Sequence, residues 1–192
     1  MRTTRNLIFA AIGAALLASC ATTPVTRVAA PAPKPTAAEL PYRWTQGNAP
    51  QAHKGAVAVF GPVALRPGQY LWAADIPATG DTKVVIDTLT QLFYVYREDR
   101  LVGVATISSG KKGRTTPLGF WSVINKKKLG YSRKYDNAPM PFMQMYDSAG
   151  IAFHAGPNPG YPASHGCVRL PLKFAERLFG LTQVGSKVII EG

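Results

Sequence analysis

The sequence predicts a mainly β domain of about 110 residues occupying the C-terminal part of the chain. Three observations predict it. Short runs of β-branched and aromatic residues, separated by turn residues, follow one another from Lys83 onward. Only one segment, after Pro171, places apolar residues at convincing helical spacing. Hydrophobic residues make up 46% of the chain and charged residues 17%, enough apolar material for a core and too much for a wholly disordered protein.

The elements read in order. Val84-Val85-Ile86-Asp87 is an apolar strand. Gln91 to Arg97 and Leu101 to Ile107 flank Glu98-Asp99-Arg100, which predicts a hairpin. Phe120 to Ile124 is a further strand. Asn125 to Tyr135 carries Lys126, Lys127, Lys128, Arg133 and Lys134 around Gly130 and reads as a basic loop. In the single helix, Pro171 suits the first turn, Leu172, Ala175, Leu178 and Phe179 share a face, and Gly180 suits the C-terminal cap. Gly185 turns the chain into a terminal strand, Lys187 to Ile190. Upstream, Ala56 to Phe60 and Gln69 to Trp72 are weaker strand candidates, set apart by the Gly61-Pro62 and Pro67-Gly68 turns.

The N-terminus has a different composition. Arg2 and Arg5 precede an apolar stretch of eleven residues, Leu7 to Leu17, the length of a signal-peptide core and too short to span a bilayer. Leu17-Ala18-Ser19-Cys20 resembles a bacterial lipobox, which implies cleavage before Cys20 and its lipidation. Ala21, which is not Asp, favours the outer membrane in a cell with two. Residues 20–54 are rich in Pro and Ala and predict an extended tether, with Tyr42 and Trp44 solvated. The expected organisation is a signal segment over 1–19, the tether over 20–54, a poorly defined extension over 55–82 and the folded domain over 83–192.

Charge narrows the partners. Against 10 acidic residues stand 22 basic ones, a net charge of +12, which favours nucleic acid, membrane surfaces or carboxylate-rich polymers. Export would remove nucleic acid from the set. No run of 18 apolar residues occurs, so the chain is not a polytopic membrane protein.

With two cysteines, Cys20 and Cys167, a disulfide framework is excluded. Cys167 lies in Phe153 to Leu170, a segment dense in Gly and Pro that also holds His154 and His165, two of the three histidines. The residues admit three readings: a buried inert thiol, a zinc site using Cys167, His154 and His165, or a cysteine nucleophile with a histidine base. An unpaired thiol kept in an oxidising compartment favours the third.

Ser164-His165-Gly166-Cys167-Val168-Arg169-Leu170, with His154 upstream, resembles the active-site motif of the L,D-transpeptidase (YkuD-type) family. Ile86-Asp87 to Val95-Tyr96, Ser108-Ser109-Gly110 and Thr116-Pro117-Leu118-Gly119-Phe120 resemble that family's preceding elements in the same order. The resemblance covers residues 83–192. It implies a β-sandwich or partly open barrel with one short helix after the active-site loop, and no metal or nucleotide cofactor.

It further implies that Cys167 attacks the peptide carbonyl after a meso-diaminopimelate-type residue in a peptidoglycan stem tetrapeptide, with His154 as base and the Ala155 carbonyl orienting it. The backbone N–H groups of Gly166 and Cys167 would meet the oxyanion, with Ser164 and His165 in support and Arg169 on a substrate carboxylate or bracing the loop. His154 and Cys167 are 13 positions apart, closer than in many members, and Ala155 stands where glycine is common. Should the pair not meet, His165 is the alternative base. The expected protein is a monomeric periplasmic lipoprotein held by Cys20, with stem peptides as partners and no nucleic acid. It would cross-link stems or attach proteins to the wall. The alternatives are a hydrolase that resolves the same thioester with water and a non-catalytic wall-binding lipoprotein.

Overall fold

The computed structural model describes residues 41–192. The expected signal segment, the lipidation site Cys20 and the tether up to residue 40 lie outside the described residues.

Two sheets and two helices build the domain. The larger sheet runs β1 (Tyr70–Trp72), β4 (Arg100–Thr106), β3 (Leu92–Arg97), β2 (Thr82–Asp87), β10 (Lys187–Glu191), β5 (Gly119–Ser122). All its neighbours are antiparallel except β10 and β2, which pair in parallel from Lys187 opposite Lys83 to Glu191 opposite Asp87. The smaller sheet runs β6 (Asn125–Tyr131), β7 (Pro139–Met145), β8 (Ala152–Ala155), β9 (Val168–Leu170). Neither sheet closes into a barrel.

The central strands are apolar on both faces because both faces are covered. Val84, Ile86, Phe93, Val95, Val188 and Ile190 pack toward the smaller sheet and the helix α2 (Leu172–Leu181), whose Phe174, Ala175 and Leu178 enter the same core. Val85, Tyr94, Val104 and Ile189 point the other way, onto α1 (Asn48–Phe60). Burial on two faces is what turns an alternating strand pattern into a continuous apolar run.

Helix α1 corrects two expectations at once. Ala56 to Phe60 is helical, not a strand, and residues 41–54, expected as a solvated tether, dock on the domain with it. The alternation Ala-Val-Ala-Val-Phe imitates strand period. Yet the residues that are buried, Ala49, Ala52 and Ala56, fall at helical spacing, and their small side chains let the helix lie close on the sheet. Its N-terminus has no cap of its own, since Gly47 precedes it with φ +81°. The cap comes from the other end of the chain. The fully buried Glu191 carboxylate accepts from Gln46 N at 2.9 Å, Asn48 N at 3.1 Å, Ala49 N at 2.8 Å, Asn48 Nδ2 at 2.9 Å and Thr45 Oγ1 at 2.8 Å. Tyr42 donates to Asp87 at 2.6 Å, and Trp44 exchanges backbone bonds with Gly192.

Two further differences bear on the site. The segment expected as a basic loop is largely the edge strand β6, paired with β7. Lysines on an edge strand deter pairing with other chains. A Cβ at Gly130 would sit 2.5 Å from Met143 Sδ, so a larger residue there needs that side chain to shift. In α2, Gly180 lies inside the last turn and Thr182 is the cap residue, its N–H and its hydroxyl both reaching Leu178 O. Lys126 Nζ donates to the Phe179 and Thr182 carbonyls at the same end, closing groups the helix leaves open.

Candidate active site

Strands β8 and β9 run parallel, with Phe153 opposite Val168, His154 opposite Arg169 and Ala155 opposite Leu170. Phe153, Ala155, Val168 and Leu170 belong to the main core. Ala152 and Cys167 belong to a separate cluster with Met140, Met143 and Met145. Side chains alternate along a strand, so Ala152, His154, Cys167 and Arg169 share the face away from the core. His154 is thus a cross-strand neighbour of Arg169 and a diagonal neighbour of Cys167, about 8 Å away between backbones by strand spacing and rise. That is within reach of two inward-leaning side chains. Thirteen positions of sequence close into one sheet face because the strands are parallel and the connecting loop carries the chain back.

His154 is 7% exposed. Its Nδ1 lies 2.8 Å from Ala155 O. A carbonyl only accepts, so Nδ1 carries the proton and Nε2 holds the lone pair. Burial lowers the affinity of the ring for a second proton and the Arg169 charge lowers it further, against the raising effect of the Ala155 bond. Burial pushes the half-buried Cys167 thiol up, while a backbone hydrogen bond from Ala152 and the charge of Arg169 oppose the rise. Both shifts favour a neutral thiol beside a neutral imidazole.

The loop before β9 is tied internally. Ser164 Oγ donates to Cys167 O and accepts from Gly166 N at 3.0 Å. Gly166 has φ +121°, a backbone conformation open to glycine. Thr116 Oγ1 accepts from Gly110 N and donates to Gly166 O, both at 2.9 Å. Ser108 pairs with Arg169 and Gly110 with Ser164, so the segments around Ser108-Ser109-Gly110 and Thr116 buttress the Cys167 loop. The Gly166 N–H, expected to be free for an oxyanion, is therefore engaged by Ser164. The reason is the short Ser-His-Gly turn, which brings the hydroxyl back over its own backbone. Gly110 admits no side chain, since a Cβ would stand 2.1 Å from Arg114 O and 2.7 Å from Thr116 N. The Gly110→Ala variant is expected to lose about 3 kcal/mol of stability, read as a drop in thermal midpoint of roughly 6–12 °C.

In front of Cys167 a cleft of about 560 Å³ opens between this loop and the β6–β7 hairpin. Met140 and Met143 are buried, and with Met145 they line it as well as packing together. His165 is exposed at the cleft wall and stacks on Tyr135 of the hairpin tip, ring centroids 4.3 Å apart and planes 17° from parallel.

The sequence pattern of the L,D-transpeptidase catalytic domain (YkuD) matches residues 81–190, more than half of the chain. The chain belongs to the L,D-transpeptidase catalytic domain family.

Solved L,D-transpeptidases share the fold of this L,D-transpeptidase domain. One from Mycobacterium tuberculosis H37Rv is 20% identical with TM-score 0.54, the match covering 58% of this chain and 57% of that one. One from Stackebrandtia nassauensis is 19% identical with TM-score 0.55, covering 74% and 67%. One from Xylanimonas cellulosilytica DSM 15894 is 28% identical with TM-score 0.51, covering 59% and 62%. The match thus spans about three fifths of the length of these chains. No curated protein matches.

The L,D-transpeptidase fold brings His154, Cys167, Arg169 and Ala155 together, and sets His165 apart on the cleft wall against Tyr135. Ala152 and Tyr135 were not legible as site residues. Ala152 matters through its backbone, and Tyr135 reaches the loop only because the hairpin folds over it.

Proposed function

We propose that this L,D-transpeptidase domain moves the acyl group of a peptidoglycan stem peptide through a thioester on Cys167. The observation that carries the reading is the shared face of His154 and Cys167 on adjacent parallel strands, with His154 Nδ1 held by Ala155. With both groups neutral at rest, Nε2 takes the Sγ–H proton as sulfur attacks the stem carbonyl. The imidazolium then protonates the leaving amine of the terminal residue, and the thioester remains. An acceptor amine attacks next, and its proton returns by the same nitrogen. The positive charge of Arg169 favours thiolate and disfavours a lasting imidazolium, so the proton is passed on readily. The Cys167 N–H is the oxyanion donor in this scheme, since that of Gly166 is held by Ser164. The Arg169 side chain acts here as a field on the pair. We further place the chain outside the cytoplasmic membrane, anchored by lipid on Cys20, on the strength of the lipobox-like Leu17-Ala18-Ser19-Cys20.

Incubation with tetrapeptide muropeptides tests the function. Cross-linked dimers are expected; trimmed monomers would make water the acceptor, and an unchanged substrate would overturn the reading. The pH profile checks the base. A ring whose proton affinity is lowered stays neutral in more acid solution, so the acid limb of kcat/KM is expected below the usual histidine value of about 6.5. A limb above that value would reject His154 as the free base.

A further inference from the structure

A phenol lies on the core side of the smaller sheet, beneath the loop that carries Cys167. Tyr146 directly follows β7, is 2% exposed, and its Oη has no hydrogen-bond partner among the described residues. Such a hydroxyl costs stability that a phenylalanine filling the same space would not. Tyr146 N donates to Ile151 O at 3.1 Å, which sets the two residues opposite each other just before β8. The Ile151 side chain packs on the core and reaches Gly166, where a Cβ would stand 3.5 Å from Ile151 Cδ1. The core face at this end of the sheet therefore passes under the Gly166–Cys167 peptide. The Tyr146 ring extends that way. It stacks on Phe153 of β8, centroids 6.1 Å apart and planes 22° from parallel, and Phe153 pairs with Val168, the residue after Cys167. Burial holds the phenol well above its usual value, and a charge on Cys167 and that of Asp147 push it further. Tyr146 thus keeps its proton, and toward an anion it acts only as a donor.

We infer that Tyr146 is a positioning residue for Cys167: as the sulfur becomes anionic, the uncommitted Tyr146 hydroxyl turns its proton toward it and favours the thiolate that attacks. The inference rests on the reading of Cys167 as the nucleophile. A hydroxyl rotates about its C–O bond without displacing the ring, so the response needs no movement of the core. In a low-dielectric interior one oriented dipole acts more strongly than it would in water. It adds to the Ala152 hydrogen bond and the Arg169 charge, which already oppose the effect of burial on the thiol. The other charged or titratable groups around the sulfur come from each element packed there. His154 on β8 and Arg169 on β9 share its face, and Asp147 follows Tyr146. The four cations Arg114, Lys127, Arg133 and Lys134 line the cleft, with His165 and the phenols Tyr131 and Tyr135. Removing the Tyr146 oxygen alters none of these, so a change in the titration of the thiol reports on that oxygen.

The test is the pH dependence of Cys167 alkylation by iodoacetamide in the full chain, read by mass on the peptide that holds Cys167. Tyr146→Phe keeps the ring and removes only the oxygen. Its alkylation midpoint is expected about 0.5–1 pH unit above that of the unsubstituted chain, a reaction about three- to tenfold slower near neutral pH. The thermal midpoint is expected to hold or rise, since an unpaired buried hydroxyl is lost. An unchanged alkylation midpoint overturns the inference. Trp121→Phe is the control: its Nε1 is also buried without a partner among the described residues, and its ring centroid lies 5.9 Å from that of Tyr146. That variant is expected to leave the midpoint in place, and an equal shift there would assign the effect to packing and overturn the inference. If Tyr146→Phe loses its fold, 3-fluorotyrosine placed at position 146 alone keeps the ring and makes a stronger donor. The midpoint is then expected to fall, and one that stays put overturns the inference. Thioester formation with a stem tetrapeptide, followed by intact mass, tests the nucleophile reading separately. A raised midpoint in Tyr146→Phe without any thioester in the unsubstituted chain keeps the role of Tyr146 and removes the transfer, whereas a thioester with an unmoved midpoint does the reverse.

Discussion

Replacing Cys167 by alanine is expected to abolish the covalent adduct and lower stem-peptide transfer by about 10⁴-fold or more, because no other group on that sheet face can hold the acyl chain. His154→Gln is expected to cost about 10²–10⁴-fold, since it keeps much of the shape while removing the proton carrier. The two losses should not add, for a base with no nucleophile to activate has nothing to do. Intact mass after exposure to a stem tetrapeptide, together with dimer yield, measures both. Substantial transfer by Cys167→Ala would end the proposal. If His154→Gln transferred normally and His165→Gln did not, the base would be His165, which here stacks on Tyr135.

Glu191→Ala is expected to be strongly destabilising although the residue is remote from the site. The side chain is fully buried and satisfies five donors at the start of α1. Hydrogen bonds to a charged acceptor contribute about 1.5–3 kcal/mol each, with strong non-additivity among neighbours. A loss of about 3 kcal/mol is a fair sum, seen as a fall of roughly 6–12 °C in thermal midpoint. Glu191→Gln, which keeps one oxygen, should fall by less. Burial by itself would raise the Glu191 carboxyl, but the bonds from Ala49, Asn48, Gln46 and Thr45 outweigh it and hold the group below its usual value. The stabilisation is therefore complete above the unfolded value of about 4.3 and lost as the pH falls through the lower folded value. A melting temperature unchanged by Glu191→Ala would show that residues 41–60 are held chiefly by the alanine face of α1.

Much of the architecture was legible where burial acts locally. Strands β2, β3, β4 and β10 announce themselves as apolar runs between turn residues, and α2 by its apolar face. The short strands β8 and β9 did not, because their three or four residues are too few to show a period among glycines and prolines. Edge strand β6 was hidden by its lysines, which suit a solvated edge as well as a loop. Helix α1 was hidden because alanine and valine alternate over its last turn, and it needed the sheet to lie on and Glu191 to start it.

The same division runs through the site. Residue type and order alone determined that Cys167 is unpaired by any disulfide partner in the domain, that His154 and His165 accompany it, and that a glycine-rich turn carries the thiol. Only the tertiary structure decided which histidine shares its face, because that depends on the parallel register of β8 on β9. It also decided that Ser164 engages the Gly166 N–H and that four cations line one cleft. Chemical identity is written residue by residue, but distance between residues far apart in the chain is set by strand pairing and packing, which no local pattern encodes.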